Sequence, residues 1–244
     1  MARWKLTIEY DGTAFVGWQR QINGLGVQQV VEEAIQKFCG ESAQVFVAGR
    51  TDAGVHAAGQ VAQIALPDGY TAERVREAVN FHMKPRPVVV LRAAPAPDGW
   101  NARFSAIQRE YHYYIHQSKN PFLSNTSWWL GTPLNLEAMN QCASSIVGKN
   151  GFQAFCKGEI PHGNPMCEVV LARWSASQSG YTFQIQANRF LRNMVRALVG
   201  TMVEVGQGKL TAADFDTIFL GGSRSEAGAS APAQGLHLTN VEYD

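Results

Sequence analysis

Gln44-Val45-Phe46-Val47-Ala48, Gly49-Arg50-Thr51-Asp52-Ala53-Gly54-Val55-His56-Ala57-Ala58-Gly59-Gln60 and Val61-Ala62-Gln63-Ile64-Ala65-Leu66 follow one another without a break. The two ends are apolar and rich in valine and isoleucine, so residues 44–48 and 60–66 read as strands joined by a glycine-rich loop. On either side of this pair lies a helical pattern. Val27, Val30, Val31, Ala34, Ile35 and Phe38 recur at helical spacing over residues 27–38, and residues 72–82 form a second helix. Beyond the helices, Trp4, Leu6, Ile8 and Tyr10 alternate with polar neighbours in a first strand, and residues 88–93 make a last one. The resulting order, β-α-β-β-α-β, is that of a split βαβ, ferredoxin-like sheet.

A similar series occupies the second half. Residues 110–116 are an aromatic-rich strand, and Leu136, Met139, Cys142, Ala143 and Ile146 mark a helix. Strands follow near 168–175 and 181–187, then a long helix over 190–205 and a short one over 211–220, opened by a Thr-x-x-Asp cap. Residues 235–243 close the chain as a strand. The expected fold is therefore α+β: two ferredoxin-like halves, residues 1–104 and 105–244, in one continuous, mostly antiparallel sheet. Helices lie on one face, with an active-site cleft between the halves.

Composition excludes several classes. Hydrophobic residues make up 45% of the 244, charged residues 17%, and the net charge is +1, so the chain can bury a core and is no general polycation. Its charge is unevenly spread: residues 81–109 carry five basic side chains and one acid, and residues 211–244 five acids and one arginine. That pattern suits a localised anion site. Cys39, Cys142, Cys156 and Cys167 contain no Cys-x-x-Cys pair, which speaks against a zinc ribbon or a small disulfide framework. The six histidines lack metal-ligand spacing, and Gly24-Leu25-Gly26 lacks the third glycine of a dinucleotide fingerprint. No cofactor and no metal are expected. With neither a signal region nor a membrane-length apolar run, a soluble cytoplasmic protein is expected.

Three groups of residues could carry chemistry. The loop places Arg50, Asp52 and His56 within seven residues, among small neighbours that let a large ligand approach the carboxylate. A glycine-rich connector with a solvated Asp–Arg pair is the alternative, and spacing alone leaves both open. Arg189, Arg192 and Arg196 share one face of a helix starting near Phe190. That face is either solvated or turns one arginine toward a buried carboxylate. Trp100-Asn101-Ala102-Arg103-Phe104-Ser105 and Arg109-Glu110-Tyr111-His112-Tyr113-Tyr114 interleave basic and aromatic residues, either as core strand or as a surface holding phosphates and stacking bases. His56 is read as structural.

Several runs resemble the TruA family of tRNA pseudouridine synthases: Tyr10-Asp11-Gly12-Thr13 with Gly17-Trp18-Gln19-Arg20-Gln21, Ala48 to Ala57, and Ala102-Arg103-Phe104-Ser105-Ala106. Met194-Val195-Arg196 with Val199-Gly200, Val205-Gly206-Gln207-Gly208 and the closing Gly235-Leu236 with Val241-Glu242-Tyr243 extend the likeness over about residues 4–243. The resemblance implies isomerisation of uridine to pseudouridine at positions 38, 39 and 40 of the tRNA anticodon arm, by a homodimer without cofactor. It implies that Asp52 is the nucleophile, that Arg50 assists base flipping, that Tyr111 packs on the target base and that Arg196 pairs with Asp52. Arg103 with Phe104, Lys84 and Arg20 are then expected to hold the RNA. Two departures stand out. Cys167 occupies a position where the family usually has arginine, and residues 155–164, expected as a tRNA-contacting loop, match poorly. A nucleoside hydrolase is a rival class, but it needs paired acids, and the Asp52 loop has no second carboxylate.

Overall fold

The computed structural model describes every residue, Met1–Asp244, and contains two compact units. The first comprises Met1–Ile107 with His237–Asp244, and the second Gln108–Leu236. Each is α+β with mostly antiparallel strands. No helix is long and apolar enough to cross a membrane.

The first unit follows the expected order: β1 (Ala2–Tyr10), α1 (Val27–Cys39), β2 (Phe46–Val47), β3 (His56–Leu66), α2 (Ala72–Met83) and β4 (Val88–Pro95). β1 lies between β4 and β3, antiparallel to both, and the short β2 pairs with β3. Trp4, Leu6, Ile8 and Tyr10 all point inward, as their alternation requires. α1 buries Val27, Val30, Val31, Ala34 and Ile35 and ends on Gly40, whose N–H returns to the Gln36 carbonyl. α2 starts at Thr71, which accepts from the Arg74 amide. Asn80 then clips α2 to the sheet by exchanging two hydrogen bonds with the Val90 backbone at 2.9 and 2.7 Å.

β3 begins four residues earlier than the sequence pattern indicates. Polar and small residues hide a strand that pairs with β1 from Tyr10↔Ala57 to Ala2↔Leu66, with a register shift between Ile8 and Tyr10. The loop around Asp52 is correspondingly short.

The second unit contains β5 (Ala106–His116), β6 (Trp128–Trp129), α3 (Leu136–Ser145), β7 (Gly148–Gly151), β8 (Met166–Ser177), β9 (Gly180–Ala187), α4 (Met194–Gly206) and α5 (Ala212–Gly221). Its strands run β5-β9-β8-β7, all antiparallel, with β6 parallel to the end of β5. The spatial order first–third–second among β5, β9 and β8 repeats that of β1, β3 and β2. α3 packs on β8 and on α4, and Phe152, Phe155, Phe215 and Phe219 form an aromatic cluster with centroid separations of 5.3–6.4 Å.

Three expectations change. The last strand, β10 (Leu236–Tyr243), follows the second half in the sequence. In the structure residues 237–244 belong to the first unit, with His237 and Leu238 parallel to His56 and Ala57 of β3. α4 starts at Met194 rather than near Phe190, because Asn193 takes the left-handed conformation (φ 63°) and the Arg192 carbonyl accepts from Lys157 N–H. Arg189 and Arg192 thus precede the helix, and the arginine face does not exist. Residues 155–164 divide: Phe155 and Cys156 are buried, and the exposed stretch is 157–164 with only Ile160 half-buried. Cys167 is a buried position of β8 opposite Asn150, where burial pushes its thiol up to about 11.

Candidate active site

Asp52 sits at the turn between β2 and β3. Val55 N–H closes the turn on the Asp52 carbonyl at 3.1 Å, and Trp18 N–H holds the Thr51 carbonyl at 3.0 Å. The segment that follows β1 is pressed against this turn. A Cβ on Gly17 would lie 2.7 Å from the Thr51 oxygen and 3.2 Å from Asp52 C, and one on Gly12 would lie 2.1 Å from the Val55 oxygen. Only glycine permits that approach. The outcome is a rigid presentation: Arg50 is exposed, and Asp52 is half-buried with no hydrogen bond or ion pair from its carboxylate within its own unit. A carboxylate partly withdrawn from water and left uncommitted is the state expected of a group reserved for a ligand.

His56 is buried. Its Nδ1 accepts from Gly12 N–H at 3.1 Å, lies 3.2 Å from the Asp11 carboxylate, and its ring stacks on His237 at 4.5 Å. Asp11 in turn accepts from the Thr13 amide and hydroxyl. Partial burial pushes the Asp11 carboxyl up, but these hydrogen bonds and the two nearby imidazoles prevail and leave it below the usual range. The structural role expected of His56 is visible here.

The other basic candidates of this unit differ in availability. Arg20 is paired with Glu32 of α1 at 2.9 Å, so its charge is already partly used. Lys84 is exposed just past α2. Arg103 and Phe104 lie on a stiff turn. Asn101 Oδ1 accepts from both their amides, Gln63 Oε1 accepts from Ala102 N–H, and Tyr243 donates to the Ala102 carbonyl at 2.7 Å. Phe104 is 81% exposed with the Arg103 guanidinium 5.5 Å from its ring centre. An exposed ring on a fixed turn beside a cation can stack against a planar ring and hold an anion. The sequence reading did not single out Asn101, Gln63 or the two glycines. Gly12, Gly17 and Asn101 stood within motif runs, whereas Gln63 gave no sign beyond its place in an apolar strand.

In the second unit, Tyr111 of β5 is buried, and Phe190 meets its ring edge-on at 5.1 Å. Arg196 is one of two α4 residues that escape burial. A strap of residues 224–235 crosses α4 and holds it. Arg224 donates to the carbonyls of Ala227 and Gly228, Thr201 Oγ1 accepts from Gly228 N–H, and Tyr113 donates to the Pro232 carbonyl at 2.8 Å. Arg196 Nε donates to Ala231 O at 2.7 Å, and Ala231 N–H returns to Arg196 O at 2.9 Å. Nη1 and Nη2 are thereby aimed, and they can meet a carboxylate or phosphate. Burial keeps the Tyr113 phenol protonated, opposed by the charge of Arg196.

A family model described as tRNA pseudouridine synthase matches residues 6–105 and 142–244. The chain belongs to that family. It is 45% identical over 250 residues to tRNA pseudouridine synthase A of Acidiphilium cryptum, with all of this chain and 97% of that protein aligned. The namesake proteins of Rhodospirillum centenum, covering 100% of both chains, and of Syntrophotalea carbinolica, covering 98% of this chain and 95% of that one, are each 43% identical. The chain is accordingly an isomerase of the pseudouridine synthase class, which converts uridine to pseudouridine. The reaction breaks the N1–C1′ bond and joins C1′ to C5. C5 loses its proton and N1 gains one, so no oxidant, reductant or water is consumed.

Proposed function

We propose that the chain modifies uridines 38, 39 and 40 of the tRNA anticodon arm, with Asp52 as its nucleophile. The observation that supports this is the Asp52 turn, where a rigid backbone presents an uncommitted, half-buried carboxylate beside an exposed arginine. The target uridine is stacked in its arm and must be extruded, at a cost of a few kcal/mol. Arg50 fills the space it leaves. Tyr111 stacks on the extruded base, a contact worth about 1–3 kcal/mol. Arg196 supplies the cation that favours an ionised carboxylate in the reaction. Arg103, Phe104, Lys84 and Arg20 hold the arm through phosphates and stacking without reading its sequence. The protein works as a cytoplasmic homodimer, for which sedimentation at micromolar concentration should show a single species of twice the chain mass.

The decisive experiment uses tRNA tritiated at uridine C5. Asp52→Asn should abolish tritium release and leave the Kd for tRNA within about threefold. Release at the parental rate would refute the assignment, and an abasic product from the parent enzyme would indicate hydrolysis instead.

A further inference from the structure

Beneath the Asp52 turn lies a buried polar chain that the proposed reaction does not itself use. The Tyr10 hydroxyl is 2.7 Å from Thr51 Oγ1, and Tyr10 is 3% exposed. Gln60 is fully buried, hydrogen-bonds the same phenol, and donates through Nε2 to the Gly49 carbonyl at 2.8 Å. The two ends of the chain therefore hold Gly49 by its carbonyl and Thr51 by its hydroxyl, on either side of Arg50 and immediately before Asp52.

Gln60 reaches this place by the alternation of β3: it lies opposite Ile8, on the core face with Ala62, Ile64 and Leu66. The bulge lies on the side toward the Asp52 turn, where β3 has one residue more than β1 between the pairs Ile8↔Gln60 and Tyr10↔Ala57. A buried glutamine is otherwise hard to explain. Leucine would fill the space without the penalty of desolvating an amide.

We infer that Tyr10, Thr51 and Gln60 are positioning residues for the isomerisation, holding residues 49 and 51 so that Arg50 and Asp52 keep the orientation the reaction needs. The inference rests on the proposed role of Asp52. The chain contributes no atom to the reaction. Its loss lets the turn relax, and displacements near 1 Å at a reacting group reduce rates by about a hundredfold.

The test is single-turnover tritium release at saturating enzyme, with the tRNA Kd and the melting temperature measured for each variant. Tyr10→Phe and Thr51→Val remove opposite ends of one hydrogen bond and should each slow release by about tenfold or more, with Kd within about twofold. Thr51→Ser should recover most of the rate lost in Thr51→Val. The double variant should be no slower than the worse single, since both break the same link. If Tyr10→Phe does not fold, the Thr51→Val and Thr51→Ser pair decides from the loop side. Melting temperatures that fall while the release rate stays parental would overturn the inference and leave the chain a merely structural one. Asp52→Asn separates the two levels: a parental rate there defeats the catalytic assignment, whereas an inactive Asp52→Asn beside fully active Tyr10→Phe and Thr51→Val defeats only the positioning role.

Discussion

Replacing the buried Gly12 with alanine should damage catalysis as well as stability. The new Cβ would lie 2.1 Å from the Val55 carbonyl oxygen and 2.5 Å from its carbon. Side-chain carbons do not approach an oxygen within 3.0 Å, so about 0.9 Å of movement is needed to relieve the contact. Gly12 resists moving because its N–H is bonded to the buried His56 ring and the neighbouring Asp11 N–H to the Pro87 carbonyl. Val55 must therefore give way, and its N–H carries the Asp52 carbonyl with it. Overpacking of this kind costs about 1–3 kcal/mol of stability, or roughly 2–4 °C in melting temperature per kcal/mol for a chain of this size. A shift of this size at Asp52 slows the reaction by about a hundredfold, equivalent to about 2.7 kcal/mol of barrier. Thermal melting and single-turnover tritium release on the same preparation measure both effects. A variant that melts within 1 °C of the parent and reacts within about twofold of its rate would show that the Gly12 contact does not couple to the turn.

Two other predictions concern charge. Arg103→Ala should weaken tRNA binding and make it less salt-dependent, with the slope of log K against log salt falling by about one. An unchanged slope removes Arg103 from the phosphate contacts. Asp11 titrates below its ordinary value of 3.8, so its stabilisation is fully present above that pH and disappears as pH falls through the lower folded value. Asp11→Asn should consequently be less stable than the parent in urea at pH 6, and the gap should close in strong acid. A gap independent of pH contradicts the charge-based account.

The periodic parts of the chain were legible without a structure. Alternation in residues 4–10 and the helical spacing of residues 27–38 describe faces that bury on any partner, so β1 and α1 follow from local chemistry alone. Motif residues such as Asp52 and Arg50 stand out because they are chemically unusual among small neighbours. The second unit was less transparent where one backbone conformation overrode the pattern. Arg189, Arg192 and Arg196 have helical spacing, yet a left-handed Asn193 leaves only Arg196 on α4. Phe155 and Cys167 lie in a stretch with the composition of a loop but are buried beneath it.

The amino-acid sequence by itself thus determined the element order, the α+β class and the family, because these depend on periodicity and on residue types within short windows. Tertiary structure decided which unit receives β10, and it decided how the Asp52 turn is held. Tyr10 and Thr51 are 41 residues apart, and Gly12 and Val55 are 43 apart. The interactions between them are a hydrogen bond and a close contact, which leave no periodic trace in the chain and exist only once β1 and β3 have paired. The carboxylate was visible from the start, and its rigidity became visible only with the fold.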